Sequence, residues 1–270
     1  MKTISRIYTF LIYLFLYAPI VVLIVFSFNN SKSRATWHGF TTKWYEQLFQ
    51  NDEILTALTN TLLIAVVTAI VSTILGTMAA IGINSMNKWM RRIVMNVTRL
   101  PMINPEIVTG VSMLLLFVFI SGSTGFLKPG MATLILAHIT FCLPYVILSI
   151  MPKLRQMDPH LYEAAQDLGC APLPAFFKVV LPEIMPGIVT GMMMAFTLSI
   201  DDFVISYFTS GTTQTLPIAI YSMTRKIVSP EINALSTLLF GAILILLIII
   251  NIRQIRDEKK AKQAKRRAAQ

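Results

Sequence analysis

Residues 184–208 read IMPGIVTGMMMAFTLSIDDFVISYF. The run is long enough to cross a bilayer, and it is apolar apart from a few hydroxyls and two adjacent acids, Asp201 and Asp202. A carboxylate at the bilayer centre costs roughly 2.5–3.5 kcal/mol on insertion scales. A chain that carries two in succession has a use for negative charge inside the membrane. The most economical use is a path for a cationic solute.

The remaining sequence agrees with a membrane protein. Of 270 residues, 55% are hydrophobic and only 13% charged, whereas a soluble domain carries about 25% charged residues. Hydropathy predicts six helical spans: Ile7–Phe28, Leu62–Ile83, Glu106–Ile120, Met131–Met151, Ile184–Phe208 and Ala234–Ile252. The fold class is therefore all-α, a polytopic bundle with one transmembrane domain over residues 1–270. The third span is short and extends back toward Pro101, with Pro105 and Glu106 in its first turn; the fourth contains Pro144, a predicted kink. Lys2 and Arg6 ahead of the first span imitate a signal peptide. The apolar run is too long for one, and no small-x-small cleavage site follows.

Basic residues set the orientation. With the N-terminus inside, 17 of the 23 Lys and Arg fall on the inner side and 6 outside. Both termini are predicted to be cytoplasmic, with a basic tail at about 253–270. The net charge of +10 belongs to this topology and to contact with anionic lipid. No basic stretch interleaves with aromatics, which argues against nucleic acid. Cys142 and Cys170 lack partners or metal-like spacing and read as free thiols; His38, His138 and His160 are scattered, so no metal site is predicted. His138, in an apolar stretch, reads as a core histidine rather than a ligand. Gly187 and Gly191 read as a close helix-packing pair.

Between spans four and five lies DPHLYEAAQDLG, residues 158–169, then FFKVVLP, residues 176–182. The pattern is helix, turn, helix. Asp158 caps, Pro159 suits the first helical position, and Gly169 suits the left-handed residue that ends the helix. The second short helix is expected to end at Leu181-Pro182. Ala164-Ala165 gives a face without bulk and Glu163 an exposed charge. Such a pair could simply join two spans. However, Glu163-Ala164-Ala165, Gly169 and Val179-Val180-Leu181-Pro182 resemble the EAA loop of ABC importer permeases.

The resemblance extends over nearly the whole chain. Tyr17-Ala18-Pro19 and Phe26-Ser27-Phe28-Asn29, then Gly39 through Tyr45, His138 through Pro144, Leu198 through Asp202 and Ser229 through Ala234 are similar to the second permease of the spermidine/putrescine importer, the PotC type. One departure is Glu106, where the pattern has Asp: charge is kept but the side chain is longer. The resemblance implies a type I ABC importer fold in a bacterial inner membrane, with a coupling helix between spans four and five at about 158–182. Glu163, Ala164, Ala165, Gly169, Leu181 and Pro182 would dock on an ATPase. It implies a heterodimer with a second similar permease, two ATP-binding subunits, an extracytoplasmic polyamine-binding protein and alternating access. ATP and Mg would be bound by the partner ATPase. This chain has no GxxxxGK[ST] phosphate loop, needs no cofactor of its own, and is read as a transport subunit rather than an enzyme.

The candidate solute path is acidic: Glu106, Asp201 and Asp202, with no Lys or Arg deep in a span. Adjacent positions on a regular helix differ by about 100°, so both aspartates cannot face one pore. Asp202 shares a stripe with Ser199 and Ser206 and is the expected pore-facing residue; Asp201 would flank the path or pair with a partner. Structural hydrogen bonding of both, a proton relay, and a helix-capping role for Glu106 are the alternatives. Trp44 either anchors at a headgroup or offers a cation–π surface to a polyamine. Other solutes of related permeases (iron(III), thiamine, an opine) remain open, as does an ion-coupled secondary transporter, though no inverted repeat supports the last.

Overall fold

In lipid every backbone group must be paired within its own segment, so apolar runs of this length form helices. A computed structural model describes residues 2–31, 36–125, 127–158, 160–225, 230–245, 247–248 and 252. Pro159, Ser229, the end of the sixth span and the basic tail lie outside the described residues. The helices are α1 (Lys2–Phe26), α2 (Lys43–Phe49), α3 (Asp52–Ser85), α4 (Lys88–Ile103), α5 (Glu106–Thr124) and α6 (Met131–Gln156). They continue with α7 (Leu161–Asp167), α8 (Pro172–Ala175), α9 (Leu181–Asp201), α10 (Val204–Thr209) and α11 (Leu216–Arg225). A last apolar helix, α12, covers Glu231–Ile245. Among the described residues five helices are long and apolar enough to cross a membrane: Arg6–Phe26, Asp52–Ser85, Glu106–Ser123, Met131–Gln156 and Pro172–Asp201.

The chain divides into two compact units, Met1–Leu55 with Ile220–Gln270, and Thr56–Ala219. In the first, Asn29, just beyond α1, forms an antiparallel bridge with Phe40. Asn29 is buried, its Nδ2 donating to the Thr36 carbonyl at 2.8 Å and its Oδ1 accepting the His38 N–H at 2.9 Å. Gly39 turns the chain at φ +100°, and Phe40 stacks on Phe28. Helix α2 then buries Trp44 and Leu48.

In the second unit α6 and α9 pack along one another. Gly187 lies against Ser149 and Ile150, and Gly191 against Val146. The glycine pair therefore packs helices, as its spacing predicts. Phe141, Val146, Ile150 and Leu154 of α6 and Ile184 and Ala195 of α9 belong to the core between them.

Three expectations are corrected. Span five does not run to Phe208; it stops at Asp202, whose backbone is extended (φ −65°, ψ 116°), and α10 begins after the break. An aspartate carboxylate competes for backbone N–H groups and so favours a break over an interior helical turn. The second loop helix does not end at Leu181-Pro182. It passes through one π turn, in which the Leu181 N–H reaches the Phe176 carbonyl, and continues into α9. The wider turn accommodates Pro182, which has no N–H of its own. Span three begins at Glu106; Pro101 lies in the last turn of α4, a separate amphipathic helix that the hydropathy reading missed.

The glycine contact is testable. A Cβ on Gly191 would lie 3.1 Å from Val146 Cγ1 and 3.2 Å from Val146 Cα, whereas one on Gly82 would meet nothing within 4 Å. Gly191→Leu is expected to destabilise by about 1–3 kcal/mol through overpacking, and Gly82→Leu to stay within about 1 kcal/mol of the parent. Thermal unfolding in detergent compares them; equal melting temperatures would contradict the packing account.

Candidate functional site

The break at Asp202 gathers a buried polar cluster. The Asp202 side chain is 3% exposed. Its Oδ2 accepts the Ser206 N–H at 2.8 Å and its Oδ1 the Ile205 N–H at 3.3 Å, which closes the open first turn of α10. His138 of α6, 2% exposed, stands beside it. Its Nδ1 is 2.7 Å from Ser199 Oγ, and its Nε2 is 3.0 Å from Ser206 Oγ and 3.5 Å from Asp202 Oδ2. The stripe Ser199, Asp202, Ser206 is thus brought together, but across a break and facing inward onto a histidine.

This geometry separates the two aspartates by exposure. Asp202 and Ser199 are buried and hydrogen-bonded. Asp201, the last residue of α9, is exposed. So is Glu106, the first residue of α5. At that N-terminus Glu106 also complements the helix dipole. Helix α5 lies against α10 with Gly110 under Phe208, so one packed corner carries both exposed acids. Next to Glu106 is a groove of about 580 Å³ lined by Leu100, Asn104, Thr109, Ser112, Met113 and Phe141, among others.

Trp44, expected either at a headgroup or as a cation–π surface, is turned inward. It is 6% exposed, and its indole N–H donates to the Asn29 carbonyl at 2.8 Å. It holds the Asn29 loop to α2. Sequence reasoning also missed the role of His138. It identified a core histidine without the partner 64 positions away, because spacing along the chain does not show which helices pack.

In the loop between α6 and α9 the predicted glycine stop is present, but Asp158 does not cap the helix: α7 begins at Leu161, with His160 in the cap position and no side-chain cap. Asp158 Oδ1 accepts the His160 N–H at 3.0 Å. Gly169 has φ +83°, with the Gly169 N–H on the Gln166 carbonyl and the Cys170 N–H on that of Ala165. This pair of bonds is the Schellman arrangement that glycine permits. Helix α7 has no buried residue. Leu168 is 90% exposed, an apolar side chain that the motif reading did not single out.

Residues 72–256 match the family model described as the binding-protein-dependent transport system inner membrane component. The chain belongs to that family. It is 43% identical over 233 residues to the putrescine transport system permease protein PotI of Escherichia coli K12, covering 85% of this chain and 83% of that one. It is 40% identical over 238 residues to the spermidine/putrescine transport system permease protein PotC of the same organism, covering 88% of each. In structure it is similar to a crystallised bacterial ABC transporter for alginate import, with a TM-score of 0.72, 16% identity and coverage of 94% and 95%. That likeness shows the fold, the one the sequence predicts. This permease is a transport component, not an enzyme.

The cluster makes a specific demand on stability. Each backbone N–H on the Asp202 carboxylate contributes about 1.5–3 kcal/mol, so Asp202→Ala should cost the permease several kcal/mol and reduce its abundance in membranes. Asp201→Ala, at an exposed position, should leave abundance within about twofold. Quantitative immunoblotting of membranes and unfolding in detergent measure both; equal losses would contradict the burial account.

Proposed function

We propose that the chain is the transmembrane permease subunit of an ATP-driven importer that carries polyamines, spermidine or putrescine, into the cytoplasm. The observation that carries the solute class is the 40–43% identity to two permeases named for these solutes, over more than four-fifths of the chain. The chemistry of the exposed acids supports it. A polyamine is a flexible chain of ammonium groups separated by methylenes. Asp201 and Glu106 meet the ammonium groups, and the apolar and aromatic lining of the adjacent groove meets the methylenes. Binding stays weak enough for release because the two acids stand at exposed positions.

The remaining parts follow from this reading. One transmembrane permease domain pairs with a second, similar permease. Glu163, Ala164, Ala165, Leu168 and Gly169 dock on one of two ATP-binding subunits, which supply ATP and Mg chemistry. Leu181 and Pro182 join this docking element to α9 through the π turn. An extracytoplasmic polyamine-binding protein delivers the solute. Both termini are cytoplasmic in a bacterial inner membrane.

Uptake of labelled putrescine and spermidine by cells expressing the whole transporter tests the path. Asp201→Asn should reduce uptake roughly 30- to 150-fold at normal membrane abundance, the loss of about 2–3 kcal/mol from one charge-assisted contact. Glu106→Gln should cost less. Wild-type uptake by Asp201→Asn would remove that residue from the path. Docking has its own test. A Cβ at Gly169 meets nothing within 4 Å, so only the backbone angle objects to substitution. Gly169→Asn, which tolerates this angle, should keep solute-stimulated ATP hydrolysis, and Gly169→Val should lose it. For orientation, single cysteines at Glu53 and Thr212 should react with an impermeant reagent from outside and those at Gln156 and Asp167 should not. Thr212 is preferable to Gly211, where a Cβ would run into Pro129. The reverse labelling pattern would overturn the topology.

A further inference from the structure

The buried cluster contains more machinery than a helix break requires. Two backbone N–H groups on Asp202 already pair the start of α10. A capping aspartate alone needs no histidine. Yet His138 reaches across from α6 and contacts three side chains, one before the break (Ser199), one at it (Asp202) and one after it (Ser206). It therefore fixes the end of α9 and the start of α10 to the same point on α6. Asp201 lies between Ser199 and Asp202 in sequence, yet it is exposed. Ser199, two positions before it, and Asp202, directly after it, both contact the same imidazole.

We infer that His138, acting through Ser199, Asp202 and Ser206, is the positioning residue that aims the exposed Asp201 carboxylate at the solute. The inference rests on the reading of Asp201 as a path residue. Without the imidazole, Ser199 and Ser206 lose their shared partner, and the Asp202 carboxylate loses its contact with α6. The α9 terminus then frays, and Asp201 samples directions in which it meets no ammonium group. The alternative is that His138 only fills and pairs the core. In that case its loss would harm the protein equally whether or not residue 201 carries a charge.

Four forms of the permease, expressed with the rest of its transporter, separate these cases: parent, His138→Ala, Asp201→Asn, and both changes together. Initial uptake of labelled putrescine is divided by membrane abundance. His138→Ala should lower it about tenfold in the parent and less than twofold in the Asp201→Asn background. An equal loss in both backgrounds would make His138 a core residue only and overturn the inference while leaving the path reading intact. Full uptake by Asp201→Asn alone would overturn the path reading and the inference with it. Ser206→Ala removes one hydroxyl from the imidazole and should show the same dependence on Asp201 with a smaller loss. If His138→Ala does not assemble, Ser206→Ala decides by the same criterion. His138→Gln, whose amide still has a donor and an acceptor for the two hydroxyls, should recover part of the loss; no recovery with normal assembly would count against positioning.

Discussion

A helix cannot be interrupted inside an apolar environment unless the freed backbone groups find partners, and here the Asp202 carboxylate provides them. It accepts two N–H groups from the start of α10 and is itself held beside His138. Without that carboxylate the break would leave unsatisfied donors, each costing several kcal/mol in lipid. With it, α9 ends at Asp201 and an exposed acid appears where a continuous helix would have offered only side-on positions. The identity and the place of the second aspartate thus decide what the first can do.

The break at Asp202 and the loop between α6 and α9 lie at opposite ends of the same helix pair. Helix α6 carries His138 and leads into the loop, and α9 emerges from that loop through a π turn and runs to Asp201. Between these ends the helices touch through Gly187 and Gly191, which bring backbone against backbone. Close packing of this kind resists sliding, because interiors have no slack to absorb it. In the proposed reading, a displacement imposed on Glu163 and Leu168 by an ATPase therefore moves the α6–α9 pair as a body and carries the acid with it. The prolines in this pair, Pro144 and Pro152 in α6 and Pro186 in α9, lie inside continuous helices.

The spans were legible because hydropathy over some twenty residues integrates many weak signals into one strong one. The Gly169 turn was legible because few residues other than glycine take a positive φ, and the Gly187–Gly191 contact because small residues at this spacing serve close packing. The orientation of the aspartates was not legible. It followed from assuming a regular helix, and 100° per residue fails at the first residue that leaves the helical region. The signal was nevertheless present: two aspartates in succession are poor helix formers, and serines three before and four after the second one supply hydroxyls for a buried partner. What the sequence could not give was the partner, since His138 is near Asp202 only through the packing of α6 on α9. The burial of Trp44 was not legible for a similar reason, because a tryptophan near a span end is compatible with a headgroup, a solute or, as found, a buried backbone carbonyl.

In the proposed reading the solute meets Asp201 while Asp202 stays on the backbone of α10. A structure of the assembled transporter arrested during turnover with bound polyamine tests this directly. The predicted result is an ammonium group within about 4 Å of the Asp201 carboxylate, the distance of a close ion pair, with Asp202 still accepting the N–H groups of Ile205 and Ser206. An ammonium group on Asp202, with those two N–H groups released and His138 turned away, would contradict it.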